Sequence, residues 1–235
     1  MKYKAILFDL DGTLMPVSND DFEKVYLGSL SKSLASHIEP DALLKSMWKA
    51  LDVMVKDTGD TKNDVIFFEQ FGTLIGEELL DVLEPKFDAY YRGEFEILQS
   101  VLDDNAGMVE TIQYLKDKGY RLIVATNPMF PPIAVERRLE FSGLDPEDFD
   151  FISNFEIHTK TKPHKAYFEE VLEMNGLKPE ECLMVGNDME EDMVVKELGM
   201  DGWILDDYLI SRNGTDVSDW SGSRKDFYRK VKEQL

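Results

Sequence analysis

Cysteine is nearly missing: Cys182 stands alone among 235 residues, so no internal disulfide can form. It lies in the apolar run CLMVG and reads as a small buried hydrophobe. Long hydrophobic runs are missing too. No stretch approaches the roughly 20 apolar residues that cross a bilayer. The N-terminal apolar run covers only Ala5 to Phe8, too short for the core of a secretion signal. These absences predict a cytoplasmic protein with no membrane partner. Positive charge is also scarce. The 26 Lys and Arg stand against 47 Asp and Glu, a net charge of −21. Such a surface repels phosphate backbones and argues against nucleic acid as a general partner. An anionic substrate must be drawn in locally, by a metal or a few placed lysines. The plainer use of the charge is solubility. Internal repeats and low-complexity segments are absent.

What is present reads as a globular chain, 43% hydrophobic and 31% charged. Its length suits one large core with an insertion, or two unequal domains. KAILFDL reads as a short buried strand. Residues 17–99 then turn helical in pattern. Phe22, Val25, Tyr26, Leu30, Leu34 and Ile38 recur at helical spacing. Leu44, Met47, Trp48, Leu51 and Val55 repeat it, with Asp41 as the expected N-cap. Val65 to Leu83 continue it, and Pro85 marks a break. About four helices are predicted. Tyr26, Trp48, Phe67, Tyr90 and Tyr91 either line a pocket or fill the core of this region, and spacing favours core for most.

From residue 104 the pattern alternates. Helices ended by Gly119, Gly143 and Gly176 separate the strands YRLIVATN, DFDFISNF and ECLMVGN. A helix EEDMVVKELG, a last strand GWILDD and a surface helix at the C-terminus complete the chain. This alternation predicts an α/β fold: a Rossmann-like parallel sheet core with helices on both faces, plus an inserted all-helical domain. Residues 1–16 and 100–235 form the core in this reading, and 17–99 the insertion. Ligands of open parallel sheets sit beyond the carboxyl ends of the strands, so the strand ends carry the functional candidates.

The first strand ends in Asp9-Leu10-Asp11-Gly12-Thr13. A period of two puts both carboxylates on one side of an extended chain. They repel unless a cation sits between them, and hard oxygen ligands suit Mg²⁺. The alternative is an Asp-rich turn. The second strand ends in Thr126-Asn127, which can hold a phosphate or cap the next helix. Lys162, before Pro163, either reaches into the mouth of the sheet or is solvated with Lys160 and Lys165. The fourth strand ends in Gly186-Asn187-Asp188, with Asp192 four residues on. That cluster supplies a further metal ligand or an acidic helix start.

Together, DLDGTL, ATN, KPHKAYF and GNDMEED, in this order at successive strand ends, resemble the haloacid dehalogenase-like hydrolase superfamily. The helical insertion is similar to that family's cap domain of the first type (C1). The resemblance implies a Mg²⁺-dependent phosphomonoester hydrolase acting on a small phosphorylated metabolite. It implies Asp9 as the nucleophile that forms an aspartyl-phosphate, and Asp11 as general acid and base. Thr126, Asn127 and Lys162 would bind the phosphoryl group. Mg²⁺ would rest on Asp9, Asp11 and the fourth motif. That motif commonly reads Gly-Asp, and here Asn187 precedes Asp188. Asp188 is favoured as the ligand for its charge, with Asn187 the alternative and Asp192 behind them holding Lys162. The true dehalogenases of this family lack an acid at the position of Asp11, which favours a phosphatase. A further departure is Met15-Pro16-Val17, where the family often has an acid after its D-G-T-L. The competing readings are a phosphotransferase or mutase with the same intermediate, and a non-catalytic phospho-acceptor or binding module.

Overall fold

The computed structural model describes residues 2–235. Its central strand, β1 (Ala5–Phe8), is buried along its whole length. Ile6 and Phe8 join one apolar layer, Ala5 and Leu7 the other, as a period of two requires. A strand apolar on both faces belongs inside a sheet that is covered twice. β1 pairs in parallel with β2 (Arg121–Val124) and β4 (Cys182–Gly186). β3 (Phe151–Ile152), β5 (Asp201–Leu205) and β6 (Trp220–Gly222) extend the sheet outward. The order is β3-β2-β1-β4-β5-β6, and every pairing is parallel. Tyr167, Phe168 and Val171, carried on α7 (Lys165–Asn175), belong to the Ala5 and Leu7 layer. Met108, Ile112, Phe227 and Val231 lie in the layer of Ile6 and Phe8. The strand order turns back between β1 and β4, the place where such sheets bind ligands.

After β1 the chain enters four helices: α1 (Asn19–Leu34), α2 (Pro40–Lys56), α3 (Asn63–Ile75) and α4 (Glu77–Arg92). Ser18 caps α1 by accepting the Asp21 N–H. A 3₁₀ helix, Glu94–Val101, follows. The chain leaves through a buried Met15-Pro16-Val17 segment and returns beside it. There the Asp103 N–H donates to the Pro16 carbonyl at 3.0 Å. The start of α3 is tied to the loop after β3. The buried Asn63 donates its N–H to the His158 carbonyl at 3.0 Å, and its amide to the Pro128 and Lys160 carbonyls. The remaining helices are α5 (Ala106–Asp117), α6 (Pro132–Phe141), α7 and α8 (Arg224–Gln234).

Several local expectations change. Pro85 lies inside α4, on an exposed face where water can satisfy the carbonyl that it frees. Glu39, not Asp41, is the N-cap of α2, because Pro40 is suited to the first helical position. DFDFISNF yields only the two residues of β3. The helix expected over EEDMVVKELG is a 3₁₀ helix, Met193–Leu198. Its upstream half is held in a turn by Asp192, whose carboxylate accepts backbone N–H groups from residues 187 and 188. A sixth strand follows the expected last one, and α8 is the expected surface helix, docked by its buried Phe227 and Val231.

Candidate active site

The strand ends and the helical insertion enclose a cavity of about 620 Å³. Asp9, Asp11, Thr126, Asn127, Asp188 and Asp192 contribute to its lining. β1 delivers the first two. The Asp9 N–H extends the ladder by donating to the Val185 carbonyl at 2.9 Å. Gly12 then turns the chain at φ +82°, and a Cβ there would stand 2.3 Å from the Asn187 amide nitrogen. Only glycine meets both demands.

Lys162 lies beneath the cavity, 1% exposed, next to a cis peptide with Pro163. Its Nζ donates to Asp9 Oδ1 at 2.8 Å and to Asp192 Oδ1 at 2.6 Å. Burial works against its charge, but the two carboxylates outweigh burial and raise its pKa, so it stays protonated. The other oxygen of Asp192 accepts the N–H groups of Asn187 at 3.0 Å and Asp188 at 2.9 Å. Gly186 makes room for it: a Cβ there would sit 2.0 Å from Asp192 Oδ2. Burial pushes Asp192 up to about 7, against the pull of Lys162.

Asn187 and Asp188 have different surroundings. The Asn187 amide is occupied at both ends, accepting from Thr13 Oγ1 at 3.2 Å and donating to the Tyr208 carbonyl at 2.8 Å. Asp188 Oδ1 accepts the Glu190 and Glu191 N–H groups, each at 2.9 Å. Arg212 Nη1 reaches both of its carboxylate oxygens, at 2.9 and 2.8 Å.

Thr126, 3% exposed, is positioned from behind. Its carbonyl accepts the Tyr167 hydroxyl at 2.8 Å. Tyr167 also lies 2.8 Å from Ser153 Oγ, which lies 3.1 Å from His158 Nε2. His158 Nδ1 lies 2.8 Å from Glu170 Oε2. Asn127 is engaged within the protein, accepting the Lys162 N–H at 3.2 Å and donating to Glu191 Oε2 at 3.2 Å.

The sequence reading missed Arg138. This side chain of α6 is fully buried, and its Nη1 donates to Asp11 Oδ2. Its guanidinium carbon stands 4.3 Å from the centre of the Phe130 ring. A signal was available: Arg138 follows the buried Ala134 by four residues and so shares its inward face. Arg212 and Tyr167 were also missed. Arg212 sits in an irregular segment between β5 and β6, where periodicity says nothing.

The site carries an excess of negative charge. Asp9, Asp11, Asp188, Glu191 and Asp192 are five carboxylates; Lys162, Arg138 and Arg212 are three cations. Burial raises the pKa of Asp9, Asp11 and Glu191, and the neighbouring cations only partly offset it. Asp11 Oδ1 is buried with no hydrogen-bond partner. An additional cation fits these groups. Among the described residues, no three His, Cys, Asp or Glu side chains form a ready-made cage. Mg²⁺ does not need one, since it usually takes one or two carboxylates with substrate oxygens and water.

Residues 3–194 match the haloacid dehalogenase-like hydrolase family. The chain is 27% identical over 227 residues to a glyceraldehyde 3-phosphate phosphatase of Methanothermobacter thermautotrophicus, covering 92% of this chain and 94% of that one. It is 28% identical over 196 residues to the pyrophosphatase PpaX of Bacillus mycoides, covering 83% of this chain and 79% of that one. Its fold is similar to that of a 2-haloacid dehalogenase from Pseudomonas syringae, with a TM-score of 0.68 at 18% identity over 99% of both chains.

Proposed function

Because the chain belongs to the haloacid dehalogenase-like hydrolase family, we propose that it is a Mg²⁺-dependent phosphatase. Its substrate is a small phosphomonoester, and its mechanism runs through an aspartyl-phosphate. The observation that carries the reading is the group at the base of the cavity. Lys162 holds Asp9 in place at 2.8 Å, with Asp11 beside it and Asp192 anchoring the lysine from behind. Residues 17–99 serve as the cap in this reading, and 1–16 with 100–235 as the catalytic core.

In the first step an Asp9 oxygen attacks phosphorus, and the bond from phosphorus to the leaving oxygen breaks. Asp11 donates its proton to that oxygen. In the second step Asp11 takes a proton from water as the water oxygen attacks phosphorus. The bond to Asp9 breaks and inorganic phosphate leaves. Two moderate barriers replace one high one. Asp11 must hold a proton for part of this cycle. Burial raises its pKa, while Arg138 and Lys162 draw it back only in part, which suits acid and base work. The Lys162 ammonium and the Thr126 hydroxyl receive the phosphoryl oxygens where charge grows. The Asp9 carboxylate, the Asp11 carbonyl and the Asp188 carboxylate are the groups that would hold Mg²⁺. Asn187 is the alternative, less favoured because its amide is engaged at both ends. When bound, Mg²⁺ supplies positive charge to the phosphoryl group and to the attacking carboxylate. The helical cap excludes bulk water from the reacting group.

The test is release of inorganic phosphate from a panel of phosphomonoesters, with Mg²⁺ and with a chelator. Mg²⁺-dependent release that Asp9→Asn abolishes is the expected result. Wild-type turnover by Asp9→Asn would sink the mechanism. Formation of an isomeric phosphate ester in place of free phosphate would point to a mutase.

A further inference from the structure

The upper part of the cavity differs in kind from its base. It is walled by Phe22, Leu51, Phe67, Phe68, Met129 and Phe130, most of them half-buried or buried. Trp48 stands in the same wall, 47% exposed, a large aromatic surface turned to the cavity and solvent. Several polar groups of this part bond to one another, and the half-buried Glu23 carboxylate is the charge among them. The Tyr26 and Tyr91 hydroxyls lie 2.8 Å apart and bond to each other. Asn19 donates to Glu23.

Cations free to receive a second anion are lacking. Among the described residues that line the cavity, Arg92 and Arg212 are the cations. Arg92 is held by both oxygens of Asp88, at 2.8 and 3.0 Å. Arg212 is held by Asp188, and should Asp188 turn to a metal, Glu190 and Glu191 stand 3.4 and 3.9 Å from its guanidinium. Glu84, Asp88 and Glu156 sit at the exposed rim. A leaving group with a carboxylate or a second phosphate would meet these acids without a counter-charge. A polyhydroxylated leaving group would lose water and find few partners, which costs affinity.

We propose that the preferred substrate is a phosphomonoester of an uncharged, apolar alcohol of aromatic-ring size, whose ring packs against Trp48, Phe68 and Met129. This inference rests on the phosphatase reading and narrows it to a substrate class. The cavity volume of about 620 Å³ lies within the range of small-molecule pockets. Discrimination against anions comes from repulsion at the rim. Discrimination against sugars and cations comes from apolar contact with the wall alone, since the rim acids do not repel a cation.

The experiment compares 2-phenylethyl phosphate with phosphoglycolate, glucose 6-phosphate, phosphocholine and pyrophosphate, reading released phosphate at fixed Mg²⁺. The first four are esters of aliphatic alcohols, so leaving-group acidity does not dominate among them. The aryl-alkyl ester is expected to show kcat/KM at least about tenfold above each of the others, the worth of burying part of a ring. Trp48→Ala is expected to narrow that ratio through KM, and Trp48→Arg to shift it toward phosphoglycolate. A binding measurement stands beside it. 2-Phenylethylphosphonate, which is not hydrolysed, is expected to raise the melting temperature more than methylphosphonate does. If an anionic, cationic or sugar ester equals or exceeds the aryl-alkyl ester, the inference is overturned and the phosphatase reading stands. A preference for phosphoglycolate that Arg212→Gln removes would overturn it in a specific way, by showing that Arg212 receives the second anion. If no ester releases phosphate, both readings fall.

Discussion

The floor and the roof of the cavity are built on opposite principles. On the floor nearly every charged atom is fixed by a partner, and each partner is fixed in turn. Lys162 joins Asp9 to Asp192, Asp192 holds two backbone N–H groups, and Arg138 holds Asp11. On the roof the surface is mostly aromatic and aliphatic, with Glu23 half-buried in it and Glu84, Asp88 and Glu156 at the exposed rim. The buried network of the floor is held in place by its partners, with Asp11 Oδ1 and Arg138 Nη2 the atoms left without one, and losing one member is costly. An apolar wall tolerates exchange, because dispersion is shared among many contacts and has little direction. Substitutions on the floor should therefore alter chemistry, and those on the roof the choice of substrate.

The largest effect expected is that of Asp9→Asn. It keeps the shape of the side chain and removes the attacking charge, so turnover should fall by at least about 10⁴-fold. Rapid-quench labelling should detect no phosphorylated protein. Asp11→Asn comes next, with a loss of about 10² to 10⁴-fold from missing proton transfer. It should be less severe for esters with an acidic alcohol, such as 4-nitrophenyl phosphate, because these need less help from an acid. Equal losses for poor and good leaving groups would deny Asp11 that role.

Lys162→Met tests whether the floor acts as a unit. It leaves Asp9 and Asp192 buried without their cation. Unfolding free energy should fall by about 3 to 5 kcal/mol, and turnover by at least about 10²-fold. Chemical denaturation and steady-state rates measure the two. Loss of turnover at full stability would mean that the network does not hold the floor together. On the roof, Trp48→Ala should raise KM for an aryl-alkyl ester about fivefold, with kcat little changed. A fall in kcat with KM constant would erase the contrast between the two regions.

The two regions were unequally legible in the sequence. Asp9, Asp11 and Asp188 stand at or just past strand ends, where the sheet places them by topology, and short motifs sufficed to find them. Lys162, in the loop between β3 and α7, was found by its motif and not by a strand end. Arg138 needs tertiary knowledge. Its position on the inner face of α6 was readable, but an arginine among apolar residues gives no hint of which carboxylate it meets 127 residues away. The roof was read as a helical region with a stripe of aromatics, without a division between core and wall. That division depends on how the helices pack: Tyr90 is buried, whereas Trp48, at similar helical spacing, is 47% exposed. The helix expected over EEDMVVKELG is shortened to Met193–Leu198, because the Asp192 side chain captures the backbone N–H groups of residues 187 and 188 locally.

The smallest effect expected lies behind the floor, at Glu170. This carboxylate bonds His158 and Thr159, at the far end of the relay that reaches the Thr126 carbonyl through Ser153 and Tyr167. Burial acts to raise its pKa, but the hydrogen bonds from His158 and Thr159 outweigh it and bring the pKa down to about 2. A depressed folded-state pKa means that the ionised form stabilises the fold. That contribution is complete above the unfolded value of about 4.5 and is lost as pH falls through about 2. Glu170 is partly open to solvent, so screening reduces the effect to about 1 kcal/mol. Glu170→Gln should therefore lower stability at pH 7 by about that amount. The gap from wild type should close between pH 4.5 and 2, measured by denaturant unfolding across that range. Trp48→Ala should show no such closure, because the roof contributes through apolar contact, which protonation does not change. A pH-independent gap for Glu170→Gln would place this part of the floor's support with the roof, in packing and not in charge.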